Sequence, residues 1–308
     1  MTHLRWIVSL FLVPFLWGRS VPLVRPTRID WNTSLPPKTV QTNGHTIFYT
    51  VKGEGRPLLL IHGYGAGMWV WEKQIEVLSQ LYRVYAVDVI GHGFSDRPKI
   101  PYIPEVYTCF LRDFMDGVGI EKATLIGNSM GGGIAWATAI LFPERVDGLI
   151  LIDCVPPDVL AQVKNKSLRT LIAIRDIPFL PYLVISTRSK SSMRWVLKDC
   201  VSDVKLITPE VVKRQYELSR IKGTTWVLYS TLKHAEEALK LRDQFSLIRQ
   251  PALFIWGEKD IIFPPDVGET LHRAITGSKF QLIEKSGHIP MWESPDIVNQ
   301  AILDFLKG

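Results

Sequence analysis

The stretch that decides the fold is residues 123–135, Ala-Thr-Leu-Ile-Gly-Asn-Ser-Met-Gly-Gly-Gly-Ile-Ala. Its first four residues form a short β-prone run. A Gly-x-Ser-x-Gly turn follows, Gly127-Asn128-Ser129-Met130-Gly131, and then a segment of helical period. Strand, sharp turn and helix in that order lift a serine side chain to the end of a strand. The neighbours of a residue in so tight a turn must lack bulk, and Gly127 and Gly131 satisfy this. Three consecutive glycines, Gly131 to Gly133, weaken a helix start by about 1 kcal/mol each relative to alanine. Close approach of the helix to the sheet is the expected reason for them.

Working outward, strand-like runs recur at 46–51, 57–61, 82–87, 149–152, 252–255 and 280–283. Runs that are apolar on both faces read as central parallel strands. Segments of helical period, such as 71–81 and 134–142, lie between them. The alternation predicts an α/β fold with a doubly wound, mostly parallel sheet. The interval 155–246 breaks the rule. It has no comparable strand run, only helical stretches at 160–174, 192–201, 209–218 and 226–241, separated by Pro178, Pro181 and Gly223. It is expected to be a helical insertion between two strands of a core made of 39–154 and 247–308. Its apolar side chains, among them Leu168, Leu171, Ile172, Phe179, Leu180, Tyr182, Leu183 and Trp195, are expected to receive a hydrophobic group.

Composition bounds the function. The chain has 308 residues, 46% of them hydrophobic, enough to bury a core without staples. With 21% charged residues, 22 glycines and 20 prolines, it is neither disordered, collagen-like nor a coiled coil. Cys109, Cys154 and Cys200 are too few and too scattered for a disulfide framework, and none forms a CxxC pair that would hold zinc. The net charge is +6, and 155–246 carries 16 Lys and Arg against 9 Asp and Glu. The first reading of that excess is solvated helix faces; the second is a patch for an anionic surface. No nucleic-acid partner is implied.

The N-terminus stands apart. Residues 6–17 are an apolar run bounded by Arg5 and Arg19 and interrupted by Ser9 and Pro14. It is shorter than the ~20 residues that cross a bilayer. The exit, Leu16-Trp17-Gly18-Arg19-Ser20, lacks a small-x-small cleavage site. An uncleaved anchor or interfacial segment is expected, with Trp6 and Trp17 at the membrane–water boundary; the alternative is export after cleavage. Pro22, Pro26, Pro36 and Pro37 make the remainder of 1–38 a linker.

A serine hydroxyl needs a base to become a nucleophile. Of seven histidines, His288 has the best position: it follows the last strand in Ser286-Gly287-His288, at the sheet edge where open α/β sheets collect their sites. The base needs an orienting carboxylate. Asp260, in the loop after the 252–255 run, ranks first. Glu258 and Asp266 are neighbours, and Asp153 after an earlier strand is a remoter alternative. The oxyanion of an acyl-transfer step needs two donors. The backbone N–H of Met130 and that of Tyr64, in the glycine loop His62-Gly63-Tyr64-Gly65, are the candidates.

Residues from about 40 to 308 resemble the α/β-hydrolase superfamily of lipases and esterases. The matching pieces are His62-Gly63, Asp88 with the run 91–98 (Gly-His-Gly-Phe-Ser-Asp-Arg-Pro), the serine turn, Trp256-Gly257-Glu258-Lys259-Asp260, and Ser286-Gly287-His288-Ile289-Pro290 with Glu293 and Pro295. Ile90 departs from the pattern, since proline is usual there. The resemblance implies a serine hydrolase of a carboxylic ester, catalytic residues Ser129, Asp260 and His288, a helical cap over the pocket, and neither cofactor nor metal. His62, Asp88, His92 and Asp96 read as ties between loops, and Trp69, Trp71 and Trp292 as packing or pocket-wall residues rather than a cofactor box. Dehalogenases and epoxide hydrolases of the superfamily need aspartate where Ser129 stands. A carbon–carbon bond hydrolase of ring-cleavage products has a similar serine turn, but typically Trp after the catalytic His, where Ile289 stands here. A perhydrolase, a lyase or a triad-retaining ligand receptor on the same scaffold stays open.

Overall fold

Leu58 and Leu60 point to one side of the sheet, Leu59 and Ile61 to the other, and all four are buried. That is the pattern of a strand covered on both faces, and each such side chain contributes roughly 1.5–3 kcal/mol. A computed structural model describes residues 35–307. Eight strands, β1 (Lys38–Thr42), β2 (His45–Lys52), β3 (Pro57–Ile61), β4 (Arg83–Val87), β5 (Ala123–Asn128), β6 (Val146–Ile152), β7 (Ala252–Gly257) and β8 (Lys279–Ile283), form one sheet in the order β1-β2-β4-β3-β5-β6-β7-β8. The β1–β2 and β2–β4 pairs are antiparallel and the other five are parallel.

Helices sandwich this sheet. On the face of Leu58 and Leu60 lie α1 (Glu72–Leu78) and, from the chain's end, Pro295–Lys307. The other face carries α2 (Pro104–Gly117), α3 (Met130–Leu141) and Pro265–Ala274. Between β6 and β7 run α4 (Val159–Gln162), α5 (Lys166–Ala173), α6 (Leu180–Ser186), α7 (Lys190–Asp199), α8 (Pro209–Arg220) and α9 (Thr224–Lys233), then a 3-10 segment, Ala235–Leu247. After β7 come α10 (Pro265–Ala274), α11 (Pro290–Glu293) and α12 (Pro295–Lys307). No strand of the sheet lies in 155–246.

Three elements differ from the sequence expectation. β1 falls across the linker boundary; it is an exposed antiparallel edge strand, so it lacks a continuous apolar run. The expected helix 160–174 is two helices, because Asn165 caps the second through its side chain to Leu168 N–H. The pair Pro178 and Pro181 does not exclude a helix: Pro181 sits in the first turn of α6, where its missing N–H has no intrahelical partner to lose. Of the side chains expected to receive a hydrophobic group, Leu168 and Ile172 pack against the core. Phe179, Tyr182, Leu183 and Trp195 instead face solvent, Phe179 at 84% and Trp195 at 71% exposure. Burial requires a partner surface, and α6 and α7 give their opposite faces, Pro181 with Ile185 and Met193 with Leu197, to the protein.

Among the described residues no helix is long and apolar enough to cross a membrane. The 6–17 run lies outside the described residues.

Candidate active site

Ser129 stands between β5 and α3 with φ 54° and ψ −120°, a conformation that a side chain adopts only when the surroundings enforce it. The enforcement is visible. Ser129 N–H donates to the Ile152 carbonyl of the neighbouring strand (2.9 Å), and its own carbonyl accepts from Gly133 and Val155 (both 3.1 Å). The glycine run is explained by contact: a Cβ at Gly131 would overlap the Ile61 carbonyl, and one at Gly132 would strike Cys154. The helix therefore begins against the sheet backbone itself.

His288 reaches this turn from the loop after β8. Its carbonyl accepts from Asn128 Nδ2 (3.0 Å), and the same amide donates to Ile152 O (3.2 Å). The residue before Ser129 thus fixes the histidine backbone. His288 N–H donates to Cys200 O at the end of α7 (2.9 Å). The ring is buried, packs on Phe263 (5.8 Å between centroids), and donates from Nδ1 to Asp260 Oδ2 at 2.7 Å. That bond selects the tautomer with Nε2 unprotonated and able to accept a proton. Asp260 is buried too; its Oδ1 accepts the N–H groups of Ile262 (2.7 Å) and Phe263 (3.2 Å), which hold the carboxylate in place.

Neither near neighbour of Asp260 takes that position. Glu258 accepts Lys285 N–H (2.9 Å), and Asp266 is exposed in the first turn of α10. Asp153 comes much closer. It is fully buried, with Oδ1 on Gly257 N–H (2.9 Å). Asp153, Asp260 and His288 each bring one polar atom within 4.8 Å of the others. Burial, and then the charge of Asp260, push the Asp153 carboxyl well above the usual range. Two carboxylates and an imidazole also make a conceivable cation cluster, but the Asp260 and His288 atoms are spent on each other and on backbone amides.

The glycine loop lies over the serine. A Cβ at Gly63 would sit 3.1 Å from Ser129 Cβ, so the backbone leading to Tyr64 passes close beside Ser129, where a larger residue would crowd it. His62, Asp88, His92 and Asp96 hold this edge together. His62 Nε2 accepts Val89 N–H (3.1 Å) and Nδ1 donates to Gly63 O (2.8 Å). Asp88 accepts Met68 N–H (2.7 Å) and Phe94 N–H (2.8 Å), and Asp96 accepts Thr46 N–H (2.7 Å). Burial pushes the His62 imidazole down to about 4 and the Asp88 carboxyl up to about 6.

Two residues to which sequence reasoning gave no role complete the surroundings. Gln215 of α8 donates to Gly65 O and accepts Trp69 Nε1–H (3.1 Å). Glu293 accepts Gly287 N–H (2.6 Å), Ser202 N–H (2.7 Å) and Asp203 N–H (3.1 Å), pinning the histidine loop to the insertion. A polar residue among apolar neighbours on an amphipathic helix was the available signal for Gln215; Glu293 was noticed only as part of a motif.

A doubly wound sheet with a strained serine at one strand end and a buried His–Asp pair at the same edge defines a hydrolase of the α/β class. The chain belongs to the alpha/beta hydrolase fold family, whose model matches residues 56–295. It is 31% identical to an uncharacterized protein of Mycobacterium tuberculosis, over 88% of this chain and 81% of that one. It is 26% identical to human (Homo sapiens) epoxide hydrolase 4, over 97% and 89% of the two chains. The structure of a meta-cleavage product hydrolase from Pseudomonas fluorescens superposes with a TM-score of 0.74 at 27% identity, covering 88% of this chain and 97% of that one.

Proposed function

We propose that the chain is a serine hydrolase of carboxylic esters with a hydrophobic, lipid-like acyl or alcohol part. The observation that carries the reading is the His288–Asp260 bond, with His288 tied through Asn128 to the turn that strains Ser129. Ser129 Oγ attacks the ester carbonyl carbon while its proton passes to His288 Nε2. Asp260 holds the imidazole and stabilises its cation. The N–H groups of Met130 and Tyr64 stabilise the tetrahedral oxyanion. That intermediate collapses, the alcohol leaves with the proton from His288, and an acyl-Ser129 ester remains. Water, deprotonated by His288, then releases the carboxylic acid and restores the serine. No step calls on a metal or an organic cofactor. The insertion 155–246 acts as a cap, and residues 6–17 bring the enzyme to a membrane.

The likeness to the Pseudomonas fluorescens meta-cleavage product hydrolase favours a second reading, hydrolysis of a carbon–carbon bond in a ring-cleavage product. The Ser129 turn suits both. Against epoxide hydrolysis, despite the human relative, stands serine in place of an attacking carboxylate. The deciding experiment is fluorophosphonate labelling, followed by rates on p-nitrophenyl esters from acetate to palmitate and on a 2-hydroxy-6-oxo-dienoate. Labelling at Ser129 with ester turnover supports the first reading. Turnover of the dienoate alone selects the second, and labelling without turnover of either leaves a ligand receptor.

A further inference from the structure

We infer that the outer face of α6 and α7 is a docking surface for an anionic lipid bilayer, separate from the N-terminal run. Residues 177–196 hold seven of the fifteen large apolar side chains that are exposed among the described residues. So many in so short a stretch form a patch rather than a scatter. Phe179 is the most exposed of them, and its backbone sits in the left-handed region at φ 61°, a conformation that costs a bulky residue. Beside it, Leu183 and Val184 lie on the outward face of α6. Trp195 and Val196 do the same on α7. The two helices are joined by only three residues, and Arg188 among them ties the junction to Ser219 O at the end of α8. Both helices pack inward, α6 on α9 and α7 on α8. Their apolar outer faces are therefore left uncovered by the described residues.

Charge selects the occupant. From 177 to 198 there is no Asp or Glu, while Lys190 and Lys198 are exposed and Arg194 is half-buried on α7. Lys190 and Arg194 also line a groove of about 520 Å³ with Lys213, against one acid, Glu210. Aromatic and aliphatic knobs flanked by cations fit the boundary of a bilayer whose headgroups are negative. A soluble apolar partner gives no use to the cations, and an acidic soluble partner none to Phe179 and Trp195.

The test uses the full chain with vesicles of phosphatidylcholine alone and of phosphatidylcholine mixed with phosphatidylserine. It reads cosedimentation and amide hydrogen exchange of residues 177–198. The expected result is protection of 177–198 on the mixed vesicles, weaker on phosphatidylcholine. Lys190→Glu with Lys198→Glu should lower that protection and cut partitioning to mixed vesicles by at least about fivefold per reversal. Phe179→Ser with Trp195→Ser should cut it by at least about a hundredfold on both compositions, while p-nitrophenyl acetate turnover in solution stays unchanged. That turnover keeps the docking surface separable from the ester-hydrolase reading. Three results would overturn the inference: no binding to either vesicle, binding with unaltered exchange in 177–198, or protection of 177–198 on raising protein concentration without lipid, which would make the patch a contact between two copies.

Discussion

Asp153 and Asp260 set two buried carboxyl groups side by side behind His288, at the ends of adjacent parallel strands. Only Asp260 bonds the imidazole. Asp153 holds Gly257 N–H with one oxygen, while its other oxygen has no hydrogen-bond partner. Two carboxylates so close cannot both ionise at ease. Burial, and after it the charge of Asp260, push the Asp153 carboxyl well above the usual carboxylate range, while Asp260 accepts two backbone N–H groups and faces the imidazole.

Asp153→Asn should therefore be mild, because an amide imitates a protonated carboxyl, whereas Asp260→Asn should lower kcat by about 10³–10⁴-fold. The pH dependence has a definite sign. An acid whose folded pKa is raised binds its proton more tightly in the native state. Its contribution is intact below the unfolded value of 3.8 and is lost as pH rises above it toward the folded value. Melting curves of Asp153→Asn should lack that loss. If Asp153→Asn abolishes activity while Asp260→Asn is nearly silent, the orienting acid is Asp153.

Ser129→Ala should eliminate fluorophosphonate labelling and reduce ester turnover by several orders of magnitude, with His288→Ala equal to it, since such residues act as a unit. The melting temperature should hold or rise, because alanine keeps the strained turn but carries no hydroxyl. A Ser129→Ala enzyme that retains more than about a tenth of the wild-type rate would sink the serine mechanism.

His62 titrates in the opposite sense to Asp153. Its folded pKa is lowered from 6.5 to about 4 by burial. The stability it helps to hold is complete above 6.5 and is lost as pH falls from there toward 4, because the unfolded chain takes up a proton that the native state refuses. Over that window the loss is on the order of 3 kcal/mol. His92 is lowered for the same reason, burial first and the neighbouring His62 second. The melting temperature should fall between pH 7 and pH 5, and His62→Asn should shrink that fall while lowering the melting temperature at pH 7. An equal acid slope in the variant would place the effect elsewhere.

The parts legible in the sequence are those that a local pattern dictates. Buried parallel strands need unbroken apolar runs, so β3 to β7 announce themselves, and the strained turn at Ser129 needs glycines on both sides. His288 and Asp260 were legible through their position after β8 and β7. β1 was not, because an exposed edge strand needs no apolar run. α6 was hidden by Pro181, which breaks a helix interior but suits a first turn. The outward turn of Phe179 and Trp195 was also beyond reach, since exposure depends on which face of a helix finds a neighbour and not on the residue itself. Asp153 appeared as a rival to Asp260, and only the shared burial of the two groups shows why both are there.

Gln215 shows the same limit and gives the last prediction. Its side chain is buried between α8 and the glycine loop, with Nε2 on Gly65 O and Oε1 on Trp69 Nε1–H. The loop it grips carries the Tyr64 N–H proposed for the oxyanion. Gln215→Leu fills the same space but leaves the buried Trp69 indole N–H unpaired, at about 1–3 kcal/mol, and releases the partly buried Gly65 carbonyl. A lower melting temperature follows. The informative readout is kinetic. If the clamp fixes the donor, kcat on p-nitrophenyl esters should drop by about tenfold with KM little changed, since an oxyanion donor acts in the transition state and not on bound substrate. Gln215→Glu, which keeps the acceptor for Trp69 and loses the donor to Gly65, should reproduce the kcat loss. If either variant changes only the melting temperature, α8 holds the fold together without positioning the loop.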